Sequence, residues 1–298
     1  MKFSEVQLTV AADQAIAGIQ KHVPALGMFA HSFTPAASSQ YTGVAVPVFA
    51  NLSGCVTNTA NAVTGDVWIA GEELQAANVN LGKVIRKVYS LTDYEAANAN
   101  NLYLADASRA IAEQVTLEAV KDVFTNTLAE SNLSTVQDPD VYTTTTPSAK
   151  AGFAALFGIA ESKGINPYDS VVVLKGTAFS SLLSSMGDSY VYGGPELVRS
   201  GIVENLYGFR GVINCPFMPD GVDGFIIPWN TLGLVSRWDK PAIDGYADTW
   251  TATDDKTGFT IGYRVFEDLR KGTAYIGGSV LFGSQVLQKG IITLKPAG

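Results

Sequence analysis

The sequence predicts an α+β chain in which an arm and a long hairpin precede one long helix, a compact α/β insert and a closing β region. Three observations predict it. Residues 43–90 contain strand-forming runs but too few apolar residues for a core of their own. Residues 101–130 run without Gly or Pro and are apolar on two faces. Helical and strand patterns alternate over residues 148–253, and residues 258–295 are then almost continuously β-rich.

The bulk properties narrow the function classes. At 298 residues the chain buries enough surface to fold without a disulfide or a metal. Charged residues make up 16% of it, below the usual quarter, which suits a protein that covers part of its surface with partners. A net charge of −8 argues against a dedicated nucleic-acid binder, though not against a protein that encloses nucleic acid. Cys55 and Cys215 form no motif and read as two buried thiols made in a reducing compartment. The acids and polar residues of the N-terminal stretch do not fit a signal peptide, and no run of about 18 apolar residues suits a membrane span.

Taken in order, residues 1–40 read as an arm with little core, containing a short helix over 10–20 and then loop chemistry around Pro24, Gly27 and Pro35. Val44, Val46 and Val48 begin the hairpin, a turn-rich polar stretch follows, and residues 83–88 alternate apolar with basic side chains as a half-exposed strand does. Such a hairpin is marginal unless it lies on something else. Thr92 with Glu95 fits a capping box, so the long helix is expected to open at Thr92. Leu104, Ile111 and Val115 share one face of it, and Leu117, Val120, Phe124 and Leu128 roughly the opposite one. A helix apolar on two faces is sandwiched. Helices are expected over 150–162 and 177–185, strands over 171–174, 205–213, 224–228 and 231–236, and a charged hairpin tip over 267–272.

Catalytic chemistry is sparse. His22 and His31 are the two histidines, both in the arm, where lone histidines are usually solvated. No zinc-type spacing, phosphate loop or nucleophile elbow occurs; Lys175-Gly176-Thr177 lacks the preceding glycines and reads as a turn into a helix. Asp138 with Asp140, and Asp254 with Asp255, read as solvated turns because the other ligands of a calcium loop are missing. Neither a cofactor nor a metal is expected. Trp68, Tyr190, Tyr192, Trp229, Trp238 and Trp250 stand in or beside expected loops, where local packing and subunit contact are equally good readings.

The order of elements resembles the major capsid proteins of tailed bacteriophages, the Hong Kong 97-type fold. Residues 43–48 and 83–92 look like that family's extended loop running into its spine helix, and residues 169–183 like a strand and helix of its axial domain. Residues 201–213 and 218–229 look like the axial sheet, and residues 266–268 with 283–294 like the closing strands of the peripheral domain. The resemblance implies an arm over 1–42, an extended loop over 43–90, a peripheral domain with spine helix over 91–147 and 254–298, and an axial domain over 148–253. It implies a shell subunit and not an enzyme, forming pentamers and hexamers of itself that enclose double-stranded DNA without sequence-specific binding and without a membrane. Separate scaffolding, portal and decoration proteins are candidate partners, with assembly in the host cytoplasm and residence in the virion. Candidate subunit contacts are Trp68, Glu72, Glu73, Lys83, Arg86 and Lys87 on the loop, and Glu267, Asp268, Arg270 and Lys271 at a tip expected near a three-fold axis. Some relatives cross-link a lysine to an asparagine, and no pair is matched to that role here. An encapsulin shell that houses cargo enzymes shares the fold and is the first alternative; an acidic-cleft hydrolase is the second.

Overall fold

The computed structural model describes residues 5–21, 23–33, 43–48, 75–92, 101–147, 150–186, 202–206, 208–229, 231–239, 248–268 and 270–296. Helices α1 (Glu5–Ile19) and α2 (Val23–Phe29) lead into strand β1 (Ala30–Ser32). Strands β2 (Gly43–Val48), β3 (Gln75–Asn80) and β4 (Lys83–Thr92) follow. The long helix α3 (Asn101–Asp122) ends in a π turn (Val123–Thr127) and is succeeded by α4 (Glu130–Val136) and β5 (Thr143–Thr145). Helix α5 (Lys150–Ser162), β6 (Ser170–Leu174) and α6 (Gly176–Met186) begin the insert. Strands β7 (Ile202–Leu206), β8 (Phe209–Asn214), β9 (Gly224–Pro228) and β10 (Leu232–Arg237) come next. The chain closes with β11 (Asp248–Thr253), β12 (Thr260–Asp268), β13 (Thr273–Val286) and β14 (Ile292–Lys295).

Among the described residues these strands form two six-stranded sheets and one two-stranded hairpin. The first sheet is built on β13. Residues 273–279 of β13 pair with β12 on one edge and β4 on the other, and residues 281–286 pair with β10. Strands β11 and β1 extend it beyond β12 and β10. Period-two alternation turns Ile276, Val280 and Phe282 into the core. Gly278 lies between them because Ile111 of α3 fills the space: a Cβ there would stand 2.4 Å from Ile111 Cγ2.

The second sheet runs β5-β14-β9-β6-β8-β7. One face of it, with Val172, Val212, Ile226 and Ile292, packs with Phe153, Leu156 and Leu182 of α5 and α6. The other, with Val171, Val173, Phe225 and Ile227, joins the same core as α3 and the first sheet. Phe124 carries that junction, its ring 6.4 Å from Phe225 and 5.7 Å from Phe29.

Four expectations need correction. The N-terminal arm does have a core: Ala11, Ala15 and Ile19 of α1 are fully buried against α3, so the second apolar face of the long helix is covered by its own chain. Gly18 permits that approach, since a Cβ there would lie 2.7 Å from the Arg109 carbonyl oxygen. Thr92 does not cap the long helix; it is the last residue of β4, opposite Thr273. Strand β4 itself belongs to the first sheet and not to the hairpin, which consists of β2 and β3. Finally, the sheets do not follow the expected linear division: β10 and β11, expected in the 148–253 unit, are hydrogen-bonded into the first sheet, while β5 and β14 join the second.

Candidate subunit-contact surfaces

The hairpin is rooted on the outer face of the first sheet, the face turned away from α3. Val46 and Val79 are buried against Val235 of β10, with Phe33, Val44, Leu81 and Leu287 around them. Two glycines make room. A Cβ at Gly283 would meet the Asn80 carbonyl oxygen at 2.0 Å, and one at Gly233 would meet Val79 at 3.1 Å. The strands run antiparallel from the Gly43–Asn80 pair to the Val48–Gln75 pair.

Strand β4 borders this root. Ile85 and Tyr89 pack on the core, whereas Val84 and Val88 are about half exposed on the outer face, at 47% and 49%. Phe266 of β12 is also exposed and stacks on Tyr275 at 5.2 Å. By register Gly277 lies between Val88 of β4 and Arg264 of β12, with the Phe266–Tyr275 pair next along the strands and Val84 farther off, opposite Leu281. The indole of Trp238 fills the space left by Gly262, and the Asp239 carboxylate reaches both Arg86 and Arg264.

The basic residues of β4 therefore have partners within the chain. Lys83 bonds Asp122, whose same oxygen accepts from the Asn126 side chain at 2.6 Å. Arg86 pairs with Asp239, and the Lys87 ammonium lies 5.3 Å from the Tyr89 ring centre. Lys83, Asn126, Thr127, Asn132, Ser284 and Gln285 line a polar cavity of about 160 Å³ at the π turn. Trp68, Glu72 and Glu73 lie outside the described residues.

The charged tip joins β12 to β13. The Asp268 carboxylate accepts from the Arg270 backbone N–H at 3.0 Å, its carbonyl accepts from the Lys271 N–H, and Gly272 adopts φ +55°. This local turn chemistry leaves the Arg270 and Lys271 side chains exposed, without an ion-pair partner among the described residues. Glu267 sits in β12 opposite Ala274.

Other singled-out residues make contacts within the chain. His31 is partly buried in β1, with its ring 4.6 Å from Phe33 and 5.8 Å from Trp229, while Arg210 covers Trp229 at 4.7 Å. Trp250 stacks on Tyr263 at 5.2 Å, and burial raises the Tyr263 phenol above its ordinary value. Asp254 is not a solvated turn acid; it is buried, accepts from the Thr257 N–H and hydroxyl, and takes a bond from Gln20 of the α1 end. Burial pushes the Cys215 thiol up to about 11. Among the described residues no three His, Cys, Asp or Glu are grouped to hold a metal, and no helix is long and apolar enough to cross a membrane. Asp122 and Asp239 were not legible as site residues, because Lys83, Arg86 and Arg264, the cations they reach, lie far away in sequence.

No family model and no curated protein sequence matches the chain. Solved structures do. The cyanophage A-1(L) capsid asymmetric unit is similar at 13% identity over 92% of both chains, with a TM-score of 0.58. The capsid of an empty GTA particle is similar at 13% identity over 92% of this chain and 96% of that one, with a TM-score of 0.55. A virus-like particle from Pyrococcus furiosus is similar at 9% identity over 95% and 96%, with a TM-score of 0.50. Together with two sheets joined by one long helix and a hairpin rooted on the outer face, these likenesses give the chain the Hong Kong 97-type capsid fold of tailed phages.

Proposed function

We propose that this chain is the major capsid protein of a tailed bacteriophage, a non-enzymatic subunit that assembles with copies of itself into the icosahedral head around double-stranded DNA. The observation that carries the reading is the agreement of fold with phage capsid subunits over nearly the whole of both chains. The rooted hairpin supports it. Three buried valines fix β2 and β3 to the sheet, and in this reading the intervening segment 49–74, with Trp68, Glu72 and Glu73, contacts a neighbouring copy. The exposed Val84, Val88 and Phe266 and the exposed Arg270 and Lys271 of the tip supply further contact surface. Many weak contacts repeated around each subunit add up to a stable shell. In this reading the peripheral domain is the first sheet with α1 and α3, and the axial domain is the second sheet with α5 and α6. Scaffolding, portal and decoration partners, and assembly in the host cytoplasm, belong to the same proposal.

The test is electron microscopy of the purified protein with analysis of the contents of any particle. Closed shells that protect DNA from nuclease support the phage reading. Shells that co-purify with protein cargo and no DNA turn it into the nanocompartment reading, which the likeness to the Pyrococcus furiosus particle keeps in view. A monodisperse monomer under all assembly conditions overturns both. The hairpin is tested separately by replacing residues 49–74 with a two-residue Asn-Gly turn between Val48 and Gln75, which the antiparallel register allows. The subunit should fold and shell yield should collapse; a normal yield of shells refutes the role given to the hairpin.

A further inference from the structure

The chain crosses between its two sheets three times: from α4 to β5, from β9 to β10, and from β13 to β14. The three crossings meet at one point. Gln137, on the first, is buried, and its side-chain oxygen accepts from the N–H groups of Gly290 and Ile291 on the third, at 2.9 and 3.0 Å. Its side-chain N–H₂ donates to the Ile291 carbonyl at 2.5 Å. Thr231, on the second crossing and also buried, accepts at its backbone carbonyl from the Leu287 N–H of the third at 2.8 Å. Thr231 also donates from its hydroxyl to the Pro228 carbonyl. Gly290 has φ +128°, a conformation that side-chain-bearing residues rarely adopt, and lies beside Pro228, Ile165 and Thr231.

We infer that this three-way joint sets the angle between the two sheets, that Gln137 is the residue that locks it, and that the curvature of the assembled shell depends on it. Among the described residues the two sheets also share an apolar core in which Phe124 packs on Phe225, and apolar attraction is non-directional, so by itself it defines an angle less sharply than hydrogen bonds do. Hydrogen bonds are directional, and those of Gln137 occupy both ends of one amide against a buried backbone. The inference about curvature rests on the shell reading proposed above; the inference about the joint does not.

The test compares the parent, Gln137→Ala and Tyr263→Phe. The last is a control that removes a buried bond, from the Tyr263 hydroxyl to the Ser108 carbonyl, far from the joint. Hydrogen exchange at Gly290 and Ile291 should accelerate roughly ten- to a hundred-fold in Gln137→Ala, the loss expected when buried amides lose their acceptor, with α3 unaffected. X-ray scattering of the unassembled Gln137→Ala subunit should show a broadened distance distribution, and its shells should show a shifted or broadened diameter distribution. Tyr263→Phe should lower the melting temperature and leave both distributions unchanged. Unchanged scattering in Gln137→Ala overturns the joint. Altered subunit scattering with shells of parental diameter overturns the link to curvature, and an equal change of diameter in Tyr263→Phe does so too. If the parent forms no shells at all, the shell reading fails, and the scattering and exchange results still decide for or against the joint.

Discussion

The Arg86 guanidinium is hydrogen-bonded to the Asp239 carboxylate, 153 residues farther along the chain, and the same carboxylate lies 3.6 Å from Arg264. Arg86 stands on β4 and Arg264 on β12, so Asp239 bridges the two strands that flank β13. Arg264 also donates to the Asp239 carbonyl. The three positions are unequal. Arg86 is 59% exposed and returns to water if its partner is lost, whereas Arg264 is 28% exposed and its Nε is buried without a partner among the described residues. Asp239→Ala should therefore cost about 1–2 kcal/mol, and Arg86→Ala less than about 1 kcal/mol. Urea unfolding of the two variants checks the order, and equal costs would remove the bridge from the account.

The contact of α1 with α3 predicts a second effect. A Cβ at Gly18 would lie 2.7 Å from the Arg109 carbonyl oxygen and 2.8 Å from the Ala112 Cβ, one of them backbone that cannot swing aside. Gly18→Ala should destabilise by about 1–3 kcal/mol through overpacking, although alanine favours helices. Thermal unfolding measures it. A gain in stability would mean that α1 is the loose arm suggested by its sequence.

That contrast shows what was legible and what was not. Period two over residues 83–90 is local, so β4 was readable as a half-exposed strand; its partner in β13 was not, because pairing of Val84 with Leu281 is not written in either segment. Thr92 and Glu95 match a capping box, yet Thr92 ends β4 and the long helix begins at Asn101, so a local cap signal did not mark where that helix starts; Glu95 lies outside the described residues. Reading residues 1–40 as an arm with little core passed over Ala11, Ala15 and Gly18. They are small because two helix backbones approach closely there. The five buried residues of β6 announced a central strand, but nothing in β10 or β14 told which of two sheets would receive it. At the contact surfaces, residue type marked Lys83, Arg86 and Arg270 alike; only the fold separates the first two, which have ion-pair partners, from the third, which has none among the described residues.

Acid should loosen the same helix contact. Glu113 of α3 bonds Lys21 at 2.9 Å, and this bond, with Arg109 beside it, holds the Glu113 carboxyl below its ordinary value of 4.5 against a weaker opposing effect of burial. A carboxyl whose pKa is lowered on folding stabilises above its ordinary value, and that stabilisation is lost as the pH falls through the lowered one. The pair is partly exposed, so its worth is below about 1 kcal/mol. Glu113→Gln should be slightly less stable than the parent at pH 7, and the difference should shrink steadily below pH 4.5. Melting temperatures of both proteins from pH 7 to pH 3 test this; a gap that widens in acid reverses the sign and refutes the assignment.

The tip between β12 and β13 gives the last prediction. Its turn is made by backbone groups and by Asp268, with the Arg270 N–H bonded to that carboxylate and Gly272 in the left-handed region. The Arg270 side chain takes no part in it, so Arg270→Glu should leave the subunit's stability within about 0.5 kcal/mol of the parent. In a shell the tips of several copies are proposed to meet, and an Arg fork from one can bind a carboxylate of the next through two hydrogen bonds. Each exposed pair is worth only about 0–1 kcal/mol, but the contact recurs at every such meeting. Reversing the charge puts glutamate beside Asp268 and the neighbouring acids, and the repulsion is strongest where salt screens least. Arg270→Glu should therefore reduce shell yield at low salt and recover much of it near physiological or higher salt, with subunit melting unchanged throughout. Parallel measurements of subunit melting and shell yield across a salt series decide it. Parental yields at low salt would mean that the tip is a solvated turn in the shell as well as in the subunit, and that contact between capsomers is carried elsewhere.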